Sequence, residues 1–254
     1  MNPSIFRYLI FAFIFSITFA CSPSPKLTKV ETSMFELNAQ TSQTDADFEN
    51  TIKPYKSKMD LTMNDVLVVS EHPLTKGLPE GILGDFATDA ILKKTNDHYK
   101  PSDKAPANIC FLNNGGLRTA LPKGNITRGN AFELMPFENS IVILTITGSK
   151  TKQLFEFIVE NNGLPFAGAT VVAKEKKITE LKINGKNLDL SKTYKIITSD
   201  YLASESNKYY FFKDPVKTEL LKYTLRDAII DYMTEENKKG NTLKATTDGR
   251  IKYE

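Results

Sequence analysis

Two stretches of the chain concentrate residue types that grip polar ligands. The first is Asn113-Asn114-Gly115-Gly116-Leu117-Arg118; the second is Met135-Pro136-Phe137-Glu138-Asn139. Asparagine amides offer donors and acceptors to the polar edge of a ring. Adjacent glycines let the backbone turn sharply and approach a ligand closely. Arginine supplies a planar, permanently charged fork that suits phosphate or carboxylate. Phe137 is either a stacking platform beside a polar loop or an anchor in the core. Spacing alone also fits an Asn-Gly turn followed by a surface arginine.

Other chemistries are excluded by counting. The chain has 254 residues and only two histidines, His72 and His98, in unrelated contexts. A two-metal phosphohydrolase site of the Asp/His/Asn kind needs several imidazoles, so none is expected here. Two cysteines cannot build a cysteine zinc site, and no His-Glu-x-x-His occurs. Cys110 lies in Ile109-Cys110-Phe111-Leu112 and is expected to be a small buried hydrophobe, not a catalytic thiol. Asp85 and Asp89 are four apart on one helix, a spacing that permits acid–base work, but no nucleophile–base pair accompanies them. Basic and acidic residues number 33 and 30, a net charge of +3, with the lysines interspersed among acids. That argues against nucleic acid as a partner.

The elements that would carry these residues follow from periodicity. Helices are expected over 45–60, with Phe48, Ile52, Tyr55 and Met59 on one face and Pro54 kinking or splitting it, and over 82–94 and 151–161, the last ended by Gly163. The longest helix is expected over 218–235. A short buried strand, Val66-Leu67-Val68-Val69, is expected within 63–70, and others at 108–112, 140–147 with Gly148 as a stop, 170–173, 178–183, 194–198 and 250–253; Asn184-Gly185, between 178–183 and 194–198, marks a hairpin turn. Helices and strands are interspersed without strict alternation, which predicts an α+β domain, a mixed sheet with packed helices.

Residues 1–21 read as a secretory signal: Arg7, then an uncharged apolar run, then Thr18-Phe19-Ala20-Cys21. The Cys followed by Ser-Pro-Ser-Pro resembles a bacterial lipoprotein signal, with Thr18 where Leu is usual. Cys21 is therefore expected to be lipidated. Residues 22–43 read as a tether and 44–254 as the domain. The expected place is the cell envelope, on a periplasmic or outer-membrane face.

The two ligand-type stretches belong to an ordered set. Asn-Asn-Gly-Gly-Leu-Arg is followed by Gly124-Asn125-Ile126-Thr127, by Pro136-Phe137-Glu138-Asn139 and by Leu144 to Gly148; upstream stands Gly84-Asp85-Phe86-Ala87-Thr88-Asp89-Ala90. This order resembles the C-terminal domain of the 5'-nucleotidase family, which includes UDP-sugar hydrolases and ecto-5'-nucleotidases. The family patterns are Asn-Gly-Gly-Gly-Ile-Arg, Gly-x-Ile-Thr, Pro-Phe-x-Asn, Leu-Thr-Gly and a Gly-Asn-Leu-x-x-Asp-Ala helix. The likeness runs from about Asp45 to Tyr253.

The resemblance implies a nucleoside site. Phe137 and Tyr201 would sandwich the base, Asn113 would contact it, and Arg118 would reach toward phosphate or ribose. Asn114, Gly115, Gly116 and Asn139 of the same motifs are placed in that site. Asn207 stands where the family has the Asp that holds the ribose hydroxyls, within Glu205-Ser206-Asn207-Lys208 in place of Gly-Gly-Asp-Gly. The metal-dependent phosphoesterase domain of the family has no counterpart in these residues. The resemblance therefore implies the nucleotide-binding half of a split 5'-nucleotidase, acting in nucleotide catabolism with a separate metallophosphoesterase chain. That partner would hold the divalent metal, and this chain would need no cofactor and not be active alone. The alternative is a non-enzymatic lipoprotein that binds nucleosides or nucleotide sugars.

Overall fold

The computed structural model describes residues 27, 29–36, 38, 45–204 and 208–254. The expected signal with Cys21, most of the tether, and Asn207 lie outside the described residues. The chain divides into residues 1–51 and 52–254. In the first unit the described residues before Asp45 carry no helix or strand. Helix α1 (Ala46–Met63) crosses the division, with Asp45 accepting from the amides of Asp47 and Phe48 at its start. Pro54 is accommodated within it, and none of its residues is buried. The stripe of Phe48, Tyr55 and Met59 is exposed. No helix among the described residues is long and apolar enough to cross a membrane.

Residues 52–254 build on a five-stranded sheet. Its order is β10 (Lys217–Thr224), β4 (Ser140–Thr147), β9 (Thr193–Ser199), β2 (Ile109–Phe111) and β5 (Phe166–Ala167). Pairings are antiparallel except β2 with β9, which is parallel. The run Ser-Ile-Val-Ile-Leu-Thr-Ile-Thr is apolar throughout because β4 is buried on both faces. Ile141 and Ile143 join one core with Cys110 and Ile197; Val142, Leu144 and Ile146 join the other with Ile109, Phe111 and Ile196. A short helix, α5 (Asp200–Ser204), follows β9, and the first core is roofed by α2 (Ile82–His98) and α6 (Leu225–Lys238). The second is roofed by α4 (Gly148–Glu160) and by a four-stranded sheet, β11 (Ile251–Tyr253), β6 (Ala169–Lys174), β7 (Lys177–Ile183) and β8 (Lys186–Asn187). A two-stranded pairing of β1 (Val66–Ser70) with β3 (Gly124–Thr127) leads into the short helix α3 (Arg128–Leu134), started by a Thr127–Asn130 capping box. The fold is α+β, as the residue pattern predicts.

Three expectations need correction. Residues 218–235 are not one helix: Lys217–Leu220 pair with Val142–Thr145, and Thr224 faces Ser140, so the first part is a strand at the sheet edge. Thr224 then caps α6, its hydroxyl accepting from the Asp227 amide at 3.0 Å. Cross-strand pairing overrode a helical spacing of leucines there. Gly148 begins α4 rather than merely ending β4, because Thr147 caps the helix through the Lys150 amide. The hairpin at Asn184-Gly185 closes on β8 (Lys186–Asn187) and not on 194–198, which pairs with β2 and β4 in the main sheet.

Gly163 closes α4 with φ +103°, and a Cβ placed there would stand 1.9 Å from the carbonyl oxygen of Pro79. Both the left-handed backbone and the overlap penalise any side chain. Gly163→Ala is expected to cost about 3 kcal/mol or more, read as a lowered urea midpoint at unchanged slope.

Candidate functional site

The topology gathers the ligand-type segments at one end of the main sheet. β2 and β9 run parallel and β4 antiparallel to β9, so the exits of β2 and β9 and the entry of β4 lie side by side. Ile141 pairs with Ser199 at that end. Residues 112–118, 135–139 and 199–202 therefore converge, joined by Leu225 at the turn from β10 into α6.

Between them lies a groove of about 800 Å³, within the range that holds small organic ligands. Asn113, Gly115, Gly116, Arg118, Phe137, Asn139 and Tyr201 line it. Phe137 and Tyr201 are 48% and 54% exposed, so these rings are presented to solvent and not packed into either core. That decides between the two alternatives open for Phe137 in favour of a surface ring. Leu112, Met135, Ser199, Leu202 and Leu225 add apolar or small surface, and Glu138 a carboxylate.

Each segment is held by its own backbone chemistry. The Asn113 side chain folds back, its Oδ1 accepting from the Gly116 amide at 3.1 Å. A Cβ on Gly116 would lie 3.0 Å from that oxygen, a tight contact that would press on the Asn113 side chain. Asn113 also lines the groove. The Arg118 amide donates to Leu134 at 2.8 Å, tying the first segment to the second. Its guanidinium makes one long bond, to the Gly115 carbonyl at 3.4 Å, and is exposed, with no carboxylate partner among the described residues. Asn139 bridges two walls: its amide donates to Asp200 Oδ1 at 3.0 Å, and the same oxygen accepts from the Tyr201 amide at 2.7 Å.

Asn114 is placed elsewhere. It lines a second, nearly filled cleft with Lys76, Glu80, Asp85, Pro165 and Arg250. There Arg250, 6% exposed, donates to both oxygens of Asp89 (3.1 and 2.8 Å), to both of Asp248 (3.0 and 2.9 Å) and to the Phe166 carbonyl (2.7 Å). Glu80 accepts from the amides of Asp248 and Gly249. Asp85 and Asp89 are thus engaged with a structural cation rather than with each other as acid and base. Asp85 is buried, with Oδ2 unbonded and Oδ1 3.6 Å from Arg250. Burial pushes its carboxyl up to about 8 against the opposing pull of Arg250, and Glu80 adds to the rise.

This has a pH consequence. An unfolded Asp85 releases its proton near 3.8 and the folded one near 8. Across that window the folded chain binds more protons, so this residue's contribution makes stability fall as pH rises. Asp85→Asn removes the titrating group while keeping the side chain's size. Relative to wild type it is expected to gain stability between about pH 5 and about pH 9, read as the difference in urea midpoints; an equal difference at both pH values would contradict the assignment.

The remaining candidates do not line the groove. Cys110 is fully buried, and burial raises its thiol far from reactivity. His72 is exposed; His98 is exposed, bonded to the Lys94 carbonyl and stacked on Tyr223 at 4.6 Å.

Residues 64–214 match the family model described as 5'-nucleotidase, C-terminal domain. The trifunctional nucleotide phosphoesterase protein YfkN of Bacillus subtilis is 32% identical over 201 residues, covering 72% of this chain and 13% of that protein. Protein UshA of Escherichia coli is 29% identical over 115 residues, 42% of this chain and 20% of that one. The chain thus spans a small part of these relatives' length. The crystal structure of a 5'-nucleotidase precursor from Thermus thermophilus superposes with a TM-score of 0.68 at 22% identity, over 81% of this chain and 42% of that one.

Proposed function

The chain belongs to the 5'-nucleotidase C-terminal domain family, and from that premise we propose that its groove holds the nucleoside of a nucleotide between Phe137 and Tyr201. The phosphate then lies on the Arg118 side, where the guanidinium has no carboxylate partner among the described residues. The observation that carries this is the pair of half-exposed rings lining one groove of small-ligand size. Apolar groove surface and aromatic faces suit a purine or pyrimidine, and the Asn113 amide suits its polar edge.

Hydrolysis is assigned to a metal-dependent phosphoesterase unit, which we place on a separate chain. With His72 and His98 in separate contexts, the residues in hand lack the imidazoles such a site uses. The divalent metal then belongs to the partner. We further assign the chain to the cell envelope, anchored through lipidated Cys21. Metabolic incorporation of an alkynyl fatty acid, lost on Cys21→Ala, is the expected result.

Calorimetric titration of the purified chain with AMP and adenosine tests the binding role. Saturable binding of both, weakened about tenfold or more by Tyr201→Ala, is expected; a folded chain that binds neither contradicts it. Binding without stimulation by any phosphoesterase chain supports instead a non-enzymatic nucleoside-binding lipoprotein.

A further inference from the structure

We propose that Arg226 is the positioning residue of the Phe137 wall, setting the direction of that ring through the backbone that carries it. For its effect on affinity this rests on the nucleoside-binding role above. Phe137 is half exposed, so side-chain packing alone does not fix it. Its segment is instead gripped from beneath by the start of α6. The Arg226 guanidinium, 5% exposed, donates through Nη1 to the carbonyls of Met135 (3.1 Å) and Phe137 (3.3 Å). Nη2 donates to the Glu138 carboxylate, and the guanidinium carbon lies 4.0 Å from the centre of the Phe132 ring. The neighbouring Leu225 amide donates to the Asn139 carbonyl at 3.1 Å. Two adjacent residues of one helix turn thus contact 135, 137, 138 and 139 in succession.

The chemistry selects arginine. Two carbonyls and a carboxylate are met by the two terminal nitrogens of a planar fork, while its face rests on an aromatic ring. A lysine ammonium carries the same charge but has all its donors on one atom and no flat face. It cannot hold both carbonyls and the ring contact together. Neither Phe132 nor Arg226 lines the groove, so Arg226 acts through the loop and not on the ligand.

The test uses the absence of tryptophan from the chain. Phe137→Trp introduces a single indole on the wall in question, and Tyr201→Trp a single indole on the other. Acrylamide quenching reports how freely each is reached. Arg226→Lys and Arg226→Met are expected to raise the quenching constant of the Phe137→Trp reporter by about twofold. The Tyr201→Trp reporter is expected to stay unmoved. With Phe137 in place, the adenosine dissociation constant is expected to rise about tenfold in both Arg226 variants.

An unmoved Phe137→Trp reporter in a folded Arg226→Lys chain overturns the proposal. So does equal loosening at both reporters, which is what a merely structural arginine would give. Should both Arg226 variants fail to fold, Glu138→Ala releases only the exposed arm. It is expected to move the Phe137→Trp reporter the same way by a smaller step, and no movement there overturns the proposal. A wild-type chain that binds no adenosine while the reporters respond as stated rejects the nucleoside role and leaves the Arg226 assignment standing.

Discussion

Substituting both Phe137 and Tyr201 with alanine is expected to weaken adenosine binding by about a hundredfold or more, since a base–aromatic contact is worth roughly 1–3 kcal/mol per ring. Both rings are half exposed in the free chain, so their removal leaves the two cores intact. The thermal midpoint of the double variant should therefore stay close to that of the wild type. Each single variant should lose part of the affinity, because a base held on one face alone remains open to water on the other. Arg118→Met makes a contrast. It should weaken AMP while leaving adenosine nearly untouched, because its guanidinium is exposed, has no carboxylate partner among the described residues and is available to phosphate. Isothermal titration with the two ligands separates base from phosphate recognition. Equal affinity of the double variant and the wild type would remove the rings from the site.

The largest effect on stability is expected from Arg250→Met, a loss of about 3–5 kcal/mol, the range for breaking a buried ion pair by removing one partner. The substitution strips hydrogen bonds from Asp89, Asp248 and the Phe166 carbonyl, and takes the nearest cation from buried Asp85. The exposed halves of Asp89 and Asp248 can turn to water, which puts the expected value at the lower end of that range. Asp85→Asn should recover part of the loss in the Arg250→Met background, because loss of the cation raises the Asp85 carboxyl further, whereas an amide is buried neutral without taking up a proton. A double-substitution cycle on urea unfolding measures that coupling. A loss below about 1 kcal/mol for Arg250→Met would mean that the cluster is hydrated and contributes as a surface pair does.

How much of this was readable from residues alone depended on whether the signal was local. β4, β6, β7 and β9 were readable because strands buried on both faces, or alternating, carry short β-rich runs with turn residues between them. The type I′-like turn at Asn184-Gly185, with φ +48° and +78°, was readable for the same reason, but its partner was not: the second strand is Lys186–Asn187, and 194–198 belongs to the main sheet. The edge strand β10 was not, because its leucines recur at a spacing that fits a helix and only pairing with β4 makes it extended. The Thr224-Leu225-Arg226-Asp227 cap was the available sign that the helix starts at Leu225.

The groove followed the same rule. Asn113, Gly115, Gly116, Arg118, Phe137 and Asn139 sit in two compact runs whose residue types announce polar and aromatic contact. Tyr201 came only from the resemblance to the family. Asn114 was separated from Asn113 because the chain turns between them, sending one toward the groove and the other toward Arg250. Arg226 escaped notice because it acts on carbonyls about ninety positions away in sequence, a relation that no local pattern carries.

The most direct measurement of the central claim is a crystal structure of the chain grown with saturating AMP. The account predicts the purine between the rings of Phe137 and Tyr201, with the phosphate on the Arg118 side of the groove. AMP bound elsewhere on the molecule, or a groove left empty at saturation, would contradict it.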